Sequence, residues 1–161
     1  MEEPFEALIS QIKTKDELYL LLDEIEEAKR RVYQYKQTDN LSAKVGETAS
    51  VKFHDLIIGL EKQGVLSKSA ASQNSCLVKL KKHLTNLPEI KLIIAFRPRQ
   101  EFIDELSSWL KDATGQTILI DLTIQESIIG GLRLEYGGEY RDYSLVKKLE
   151  EQFQTGHIKY I

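Results

Sequence analysis

The residues that could perform covalent or metal chemistry in this chain are few and widely separated. Histidine occurs at His54, His83 and His157, and the single cysteine is Cys76. Metal sites use closely spaced ligand pairs, and a nucleophilic cysteine needs a neighbouring base or a positive environment. Neither pattern occurs here, so the sequence predicts ordinary histidines, a structural thiol, and no metal or other cofactor.

Two glycine pairs lie close together in the stretch ESIIGGLRLEYGGEYRDYSL, which covers residues 126–145. Phosphate-binding loops place their glycines at the start of a helix, whereas Gly130 and Gly131 precede an alternating, strand-like pattern. We therefore interpret this pair as structural. The lysines of KLKKH, residues 79–83, are interpreted as a solvated helix face and not as a lipid-binding patch.

The charge and composition of the chain also exclude some classes of partner. Its 161 residues carry a formal net charge of -3, and 42% of them are apolar, which is enough for a packed core. Tyr136, Tyr140 and Tyr143 lie among acidic residues that would repel a phosphate backbone. Nucleic acid is therefore not expected as the main partner.

A membrane span and a targeting signal are likewise not indicated. No apolar run approaches the roughly 20 residues that a spanning helix needs, and the acidic start MEEPFEALIS has the pattern of neither a secretion signal nor a transit peptide. Any association with a membrane is therefore expected to be indirect, through a partner.

The first half of the chain has a helical period. We predict a short helix near Phe5 to Ile12, a long helix that begins at the capping box Thr14 to Glu17 and ends near Gln37, and a loop after it. A third helix over residues 50–64 and a fourth from Ser67 to Pro88 follow. The inward residues expected on the long helix are Leu18, Leu21, Ile25, Ala28, Val32 and Tyr35.

The second half changes to a mixed pattern at Pro88. A strand over residues 91–96, covered on both faces, precedes a helix whose inner face includes Phe102 and Trp109. Alternating strands follow at 117–122 and 132–136, with a hairpin turn at Gly137 and Gly138 and a returning strand at 139–141. Asp142 is expected to cap a last helix with Leu145, Val146, Leu149 and Phe153 on its inner face.

The predicted fold class is therefore α+β. An N-terminal helical bundle over residues 1–88 precedes a small C-terminal β-α-β-β-α domain over residues 89–161.

The order of these C-terminal motifs resembles the delta subunit of F-type ATP synthases, called OSCP in mitochondria. The matching positions are Ile129, Gly130, Gly131, Leu132, Leu134, Gly137, Asp142, Ser144 and Leu149. The sequence departs from the family pattern at Gln125, where the family commonly has Asp, and in its N-terminal half, which is shorter than the family's helical bundle.

The resemblance implies a non-catalytic stator subunit that links the catalytic head to the peripheral stalk, so that rotary proton transport is coupled to ATP synthesis. The implied partners are the α subunits, held by the helical domain, and the b subunits, held by the C-terminal domain. The implied location is peripheral, on the cytoplasmic face of a bacterial cell membrane.

The residues expected to matter for this role belong to two groups. The fold-determining ones are Gly130, Gly131, Gly137, Asp142 and Ser144, and the partner-binding ones are Leu134, Val146, Leu149 and Phe153, with Leu134 expected near a strand edge.

A free-standing α+β module that binds RNA or a protein is the alternative function. A small hydrolase or transferase is a more distant one, since no nucleophile is paired with a base.

Overall fold

The computed structural model describes residues 3–36 and 39–154. Contacts divide the chain into two compact units. The first consists of Met1–Ile12 and Asp16–Leu87, and the second of Lys13–Lys15 and Pro88–Ile161. Within the described ranges, helices dominate the first unit and all four strands belong to the second, which confirms the α+β class.

The described part of the first unit is built from five α-helices. They are α1 (Glu3–Ile9), α2 (Lys15–Gln34), α3 (Leu41–Val45), α4 (Val51–Lys62) and α5 (Ala70–Thr85), with a 3-10 turn at Gly46–Thr48. Apolar residues that recur every three or four positions turn one face of each longer helix inward. The core residues include Phe5, Leu8, Leu18, Leu21, Ile25, Ala28, Val32, Phe53, Ile57, Leu60, Leu77, Leu80 and Leu84.

Three sequence-based expectations for this unit are wrong in detail. The segment expected to be a loop after α2 contains α3, whose single turn buries Leu41 and Val45 but is too short to show a helical period. Helix α5 begins at Ala70, because the Ser67 hydroxyl accepts a bond from the N–H of Ser69 instead of capping the helix. Tyr35, expected on the inner stripe, lies beyond α2 and is exposed.

A buried lysine connects several of these helices. Lys44 on α3 is only 1% exposed, and its Nζ donates to the carbonyl of Val32 at 3.2 Å and to Oε1 of Gln73 at 2.8 Å. Val32 lies in the last turn of α2, where helix carbonyls lack internal partners and the helix dipole favours a cation. Gln73 in turn donates to the carbonyls of Asp39 and Ser67. These bonds fix α3 between α2 and α5.

As far as residue 154, the second unit combines a four-stranded mixed sheet with two α-helices. Its elements are β1 (Glu89–Ile94), α6 (Gln100–Thr114), β2 (Leu119–Ile124), a 3-10 turn at Glu126–Ile128, β3 (Leu132–Tyr136), β4 (Glu139–Asp142) and α7 (Leu145–Gln154). The strand order is β2-β1-β3-β4. Strands β1 and β2 are parallel, and the other two pairs are antiparallel.

The core of this unit lies between one face of the sheet and α6. Ile90, Leu92 and Ile94 of β1 pack with Ile103 and Leu110 of α6. Alternate residues of β1 are exposed or half-buried, so the expectation of a strand covered on both faces is wrong. The expected inner face of α6 was also too wide, since Phe102 and Trp109 are exposed.

Residues at the junction of α1 and α2 extend the sheet beyond β2. Thr14 forms a parallel bridge with Ile120, and the ammonium of Lys15 pairs with Glu89 at 2.9 Å and with Asp121 at 3.0 Å. These two carboxylates, Glu89 first, raise the pKa of Lys15 above its ordinary value. The edge of β2 is thereby covered around Ile120.

The polar network around Lys44 yields the first prediction. Replacing Gln73 with Leu leaves a buried ammonium with one acceptor fewer, so we expect a loss of about 2–4 kcal/mol in the free energy of unfolding. The double variant Lys44→Met/Gln73→Leu removes the charge as well and is expected to lose less. Urea unfolding measures both. A double variant less stable than Gln73→Leu alone would contradict the unpaired-charge explanation.

Candidate partner-binding surfaces

The described residues contain few groups suited to chemistry. Among residues 3–36 and 39–154, no three His, Cys, Asp or Glu side chains lie close enough together to hold a metal ion. Cys76 is buried in α5, and burial raises the pKa of its thiol, which disfavours the reactive thiolate. His83 packs against Phe5, with ring centroids 5.7 Å apart. His157 lies outside the described residues.

Among the helices in these two ranges, none is both long enough and apolar enough to cross a bilayer.

The first glycine pair lies where the chain before α7 passes the start of β3. Gly131 has a φ of +76°, and a Cβ there would overlap the carbonyl oxygen of Tyr143 and lie 3.0 Å from Cα of Ser144. The N–H of Tyr143 donates to the carbonyl of Leu132 at 2.8 Å, and the N–H of Leu145 donates to the carbonyl of Gly130 at 2.9 Å. The start of α7 is thus bound directly to this turn.

The second glycine pair forms the β3–β4 hairpin. Gly137 and Gly138 have φ values of +60° and +82°, as a two-residue turn with positive φ at both positions requires. Strand pairing resumes at once, with Tyr136 opposite Glu139. Apart from the adjacent residues in the chain, no atom would lie within 4 Å of a Cβ at either glycine, so their role here is conformational and not steric.

The expectation that Asp142 caps α7 is wrong, because Ser144 occupies that position. The Ser144 hydroxyl accepts a bond from the N–H of Lys147 at 3.3 Å. Asp142 is the last residue of β4. Its carboxylate accepts hydrogen bonds from the N–H of Ser144 at 2.8 Å and from the Nε–H of Arg133 at 2.9 Å. The bonds from Ser144, and then the charge of Arg133, hold the pKa of the Asp142 carboxyl below its usual value. Asp142 therefore positions the cap.

Helix α7 presents its apolar face to solvent. Leu145, Leu149 and Phe153 are 45%, 41% and 55% exposed, so the expectation that they pack inward is wrong. Their spacing of four residues forms one stripe about 12 Å long at 1.5 Å per residue. By the helical period Lys148 borders one side of the stripe and Glu150 the other. We call this stripe of Leu145, Leu149 and Phe153 the α7 face.

The other two residues predicted to bind a partner lie differently. Leu134 is in β3, which pairs with β1 on one side and β4 on the other. The expectation that Leu134 lies near a strand edge is therefore wrong. Its side chain packs against the core. Val146 on α7 is half-buried. The structure therefore brings Leu149 and Phe153 together on one surface and leaves Leu134 apart from them.

A groove in the first unit offers a second surface that the sequence did not predict. Its volume is about 550 Å³, and it is lined by Leu8, Gln11, Ile12, Glu17, Leu20, Leu21, Asp23, Glu24, Ser50 and Lys52. A smaller hollow of about 250 Å³ along α1 and α4 shares Leu8, Gln11 and Lys52 with it. We call the larger one the α1–α2 groove.

The α1–α2 groove has an apolar floor and an acidic border. Leu8, Ile12 and Leu21 are buried, whereas Leu20 at the rim is 68% exposed. Three acidic residues and one lysine line the groove, and one of these acids, Glu24, also accepts bonds from the N–H and hydroxyl of Ser50. The sequence signal for the groove was Leu20, an apolar residue outside the buried stripe of α2.

Comparison with known proteins identifies a family for this chain. The family described as "ATP synthase delta (OSCP) subunit" matches residues 5–154, so the match includes the helical first unit as well as the glycine motifs. No individually curated protein matches the sequence closely.

The close approach at Gly131 yields a second prediction. Gly131→Ala adds both a disfavoured positive φ and an overlap with the Tyr143 carbonyl, so we expect a loss of at least about 3 kcal/mol in the free energy of unfolding. Gly64→Ala is the matched control, since Gly64 has a φ of +72° and open space around its Cβ position. The control should lose only about 1–2 kcal/mol. Equal losses in chemical denaturation would show that sterics at Gly131 do not matter.

Proposed function

The chain belongs to the ATP synthase delta (OSCP) subunit family, and we propose that it is the stator subunit linking the catalytic head to the peripheral stalk. The family is a non-catalytic part of the ATP synthase peripheral stalk. In this role the subunit prevents the head from turning with the rotor, so that proton transport remains coupled to ATP synthesis. The subunit needs binding surfaces for this, and no active site.

The proposed stalk contact is the α7 face, and this exposed face is the observation that carries the proposal. None of the described side chains of α7 is buried, although the helix is strongly amphipathic. Leucine and phenylalanine left in solvent at helical spacing are typical of a surface that an amphipathic partner helix covers. The partner proposed here is a helix of the b subunits, bound through Leu149 and Phe153, with Val146 at the margin.

The proposed head contact is the α1–α2 groove. A groove with a leucine and isoleucine floor fits the apolar face of a helix, and its acidic border favours a helix that also carries basic residues. In the family, this half holds the N-terminal tails of the catalytic α subunits. We therefore assign head binding to residues 1–88 and stalk binding to residues 89–161.

Two contacts on one chain suit a mechanical linker. Torque strains each contact, but when one opens, the other keeps the partner at a high effective concentration, so the joint reforms. The subunit would lie at the cytoplasmic face of a bacterial membrane and associate with that membrane only through the complex.

A third prediction tests the stalk contact with a synthetic peptide from the C-terminal helix of the b subunits, which we call the stalk peptide. The double variant Leu149→Gln/Phe153→Gln is expected to bind it about tenfold or more weakly, because each side chain would contribute roughly 1–2 kcal/mol on burial. Its melting temperature should change little, since both side chains are already exposed. Val78→Gln replaces a 47% exposed apolar side chain on α5 and is the control, which should bind the stalk peptide normally. Unchanged peptide affinity in the double variant would refute the α7 face as the stalk contact.

A fourth prediction tests the head contact with a peptide from the N-terminal tail of the α subunits. Leu20→Gln is expected to weaken binding of this peptide about tenfold, because Leu20 lines the groove. Tyr19 is the adjacent residue, is also exposed and does not line the groove, so Tyr19→Gln should bind normally. Calorimetry at low and high salt should show weaker binding at high salt, since the groove border is charged. Equal loss in both variants would argue against the groove.

A further inference from the structure

The residue before the first glycine pair has an unusual backbone conformation. Ile129 has a φ of +64° and a ψ of −40°, the only described residue other than glycine with positive φ. The N–H of Gly130 donates to the carbonyl of Ile128 at 2.7 Å, so Ile129 is the central residue of a γ-turn of the rare, strained form. Positive φ is especially unfavourable for a β-branched side chain.

The fold gains little from this side chain in return. Ile129 is 67% exposed, whereas the preceding Ile128 is 1% exposed and belongs to the core. Glycine or asparagine would adopt the same turn with less strain. A strained residue that its own fold does not bury points to a function outside the fold.

The position of Ile129 suggests what that function is. The carbonyl of the next residue, Gly130, accepts a hydrogen bond from the N–H of Leu145, the first residue of α7. A Cβ on Gly130 would lie 2.7 Å from Cδ1 of Leu145. The Leu145 side chain therefore covers Gly130, and Ile129 adjoins the N-terminal end of the α7 face. An exposed apolar side chain thus stands one residue before the glycine that contacts the first residue of the α7 face.

We propose that Ile129 is a preformed anchor for the stalk helix, and that the strained turn exists to present it at the end of the α7 face. This inference rests on the proposed stalk contact. The occupant is one amphipathic α-helix, because the stripe is a single helix face wide and is bordered by Lys148 on one side and Glu150 on the other. A partner helix with an acidic and a basic border would match those charges.

The test uses the full chain and the stalk peptide. Ile129→Asn tolerates positive φ but is polar, so its melting temperature should stay equal or rise by up to roughly 8 °C, while peptide affinity falls about tenfold or more. Ile129→Leu keeps an apolar side chain without the β-branch and should bind within about threefold of wild type. Val65→Asn, an exposed β-branched loop residue of the first unit, is the matched control and should bind normally.

The outcomes separate this inference from the function on which it rests. If the wild type binds the stalk peptide and Ile129→Asn binds it with the same affinity, the anchor is refuted and the stalk contact still stands. A lower melting temperature in Ile129→Asn also refutes it, because the fold would then need the side chain. No binding by the wild type refutes the stalk contact itself. Self-association of the wild type that Ile129→Asn abolishes would identify the occupant as a second copy of the chain.

Discussion

The close contact between Gly131 and the carbonyl of Tyr143 is the constraint on which the C-terminal unit depends. Only a residue without Cβ lets the start of β3 and the segment before α7 approach so closely. The hydrogen bonds of Tyr143 and Leu145 then fix where α7 begins, and Ser144 caps it there. A single glycine thereby allows the start of α7 to lie directly against the start of β3.

This arrangement explains why an amphipathic helix can remain exposed without being detached. The first turn of α7 is fixed by backbone hydrogen bonds and by the Asp142–Ser144 cap, which do not require its apolar face. Leu145, Leu149 and Phe153 therefore remain available for a partner. In the first unit, hydrogen bonds of Lys44 and Gln73 hold α3 in place. This helix is too short for its own apolar residues to specify its packing.

The sequence predicted what local patterns determine and missed what distant contacts determine. The helical stripe of α2 and the Gly137–Gly138 hairpin are visible in short windows, because residue period and turn chemistry act locally. The amphipathic pattern alone did not determine whether Leu149 is exposed, since the same pattern describes a helix packed on its own core or on another protein. The burial of Lys44 depends on Gln73, which lies 29 residues away.

Hydrogen–deuterium exchange along α7, in the full chain with and without the stalk peptide, tests the central claim most directly. A helix whose apolar face is uncovered opens readily and exchanges fast, and a bound helix is protected. We expect the peptide to slow amide exchange over residues 145–153 while the amides of α5 remain unchanged. Peptide binding without protection of α7 would contradict the assignment of this helix as the stalk contact.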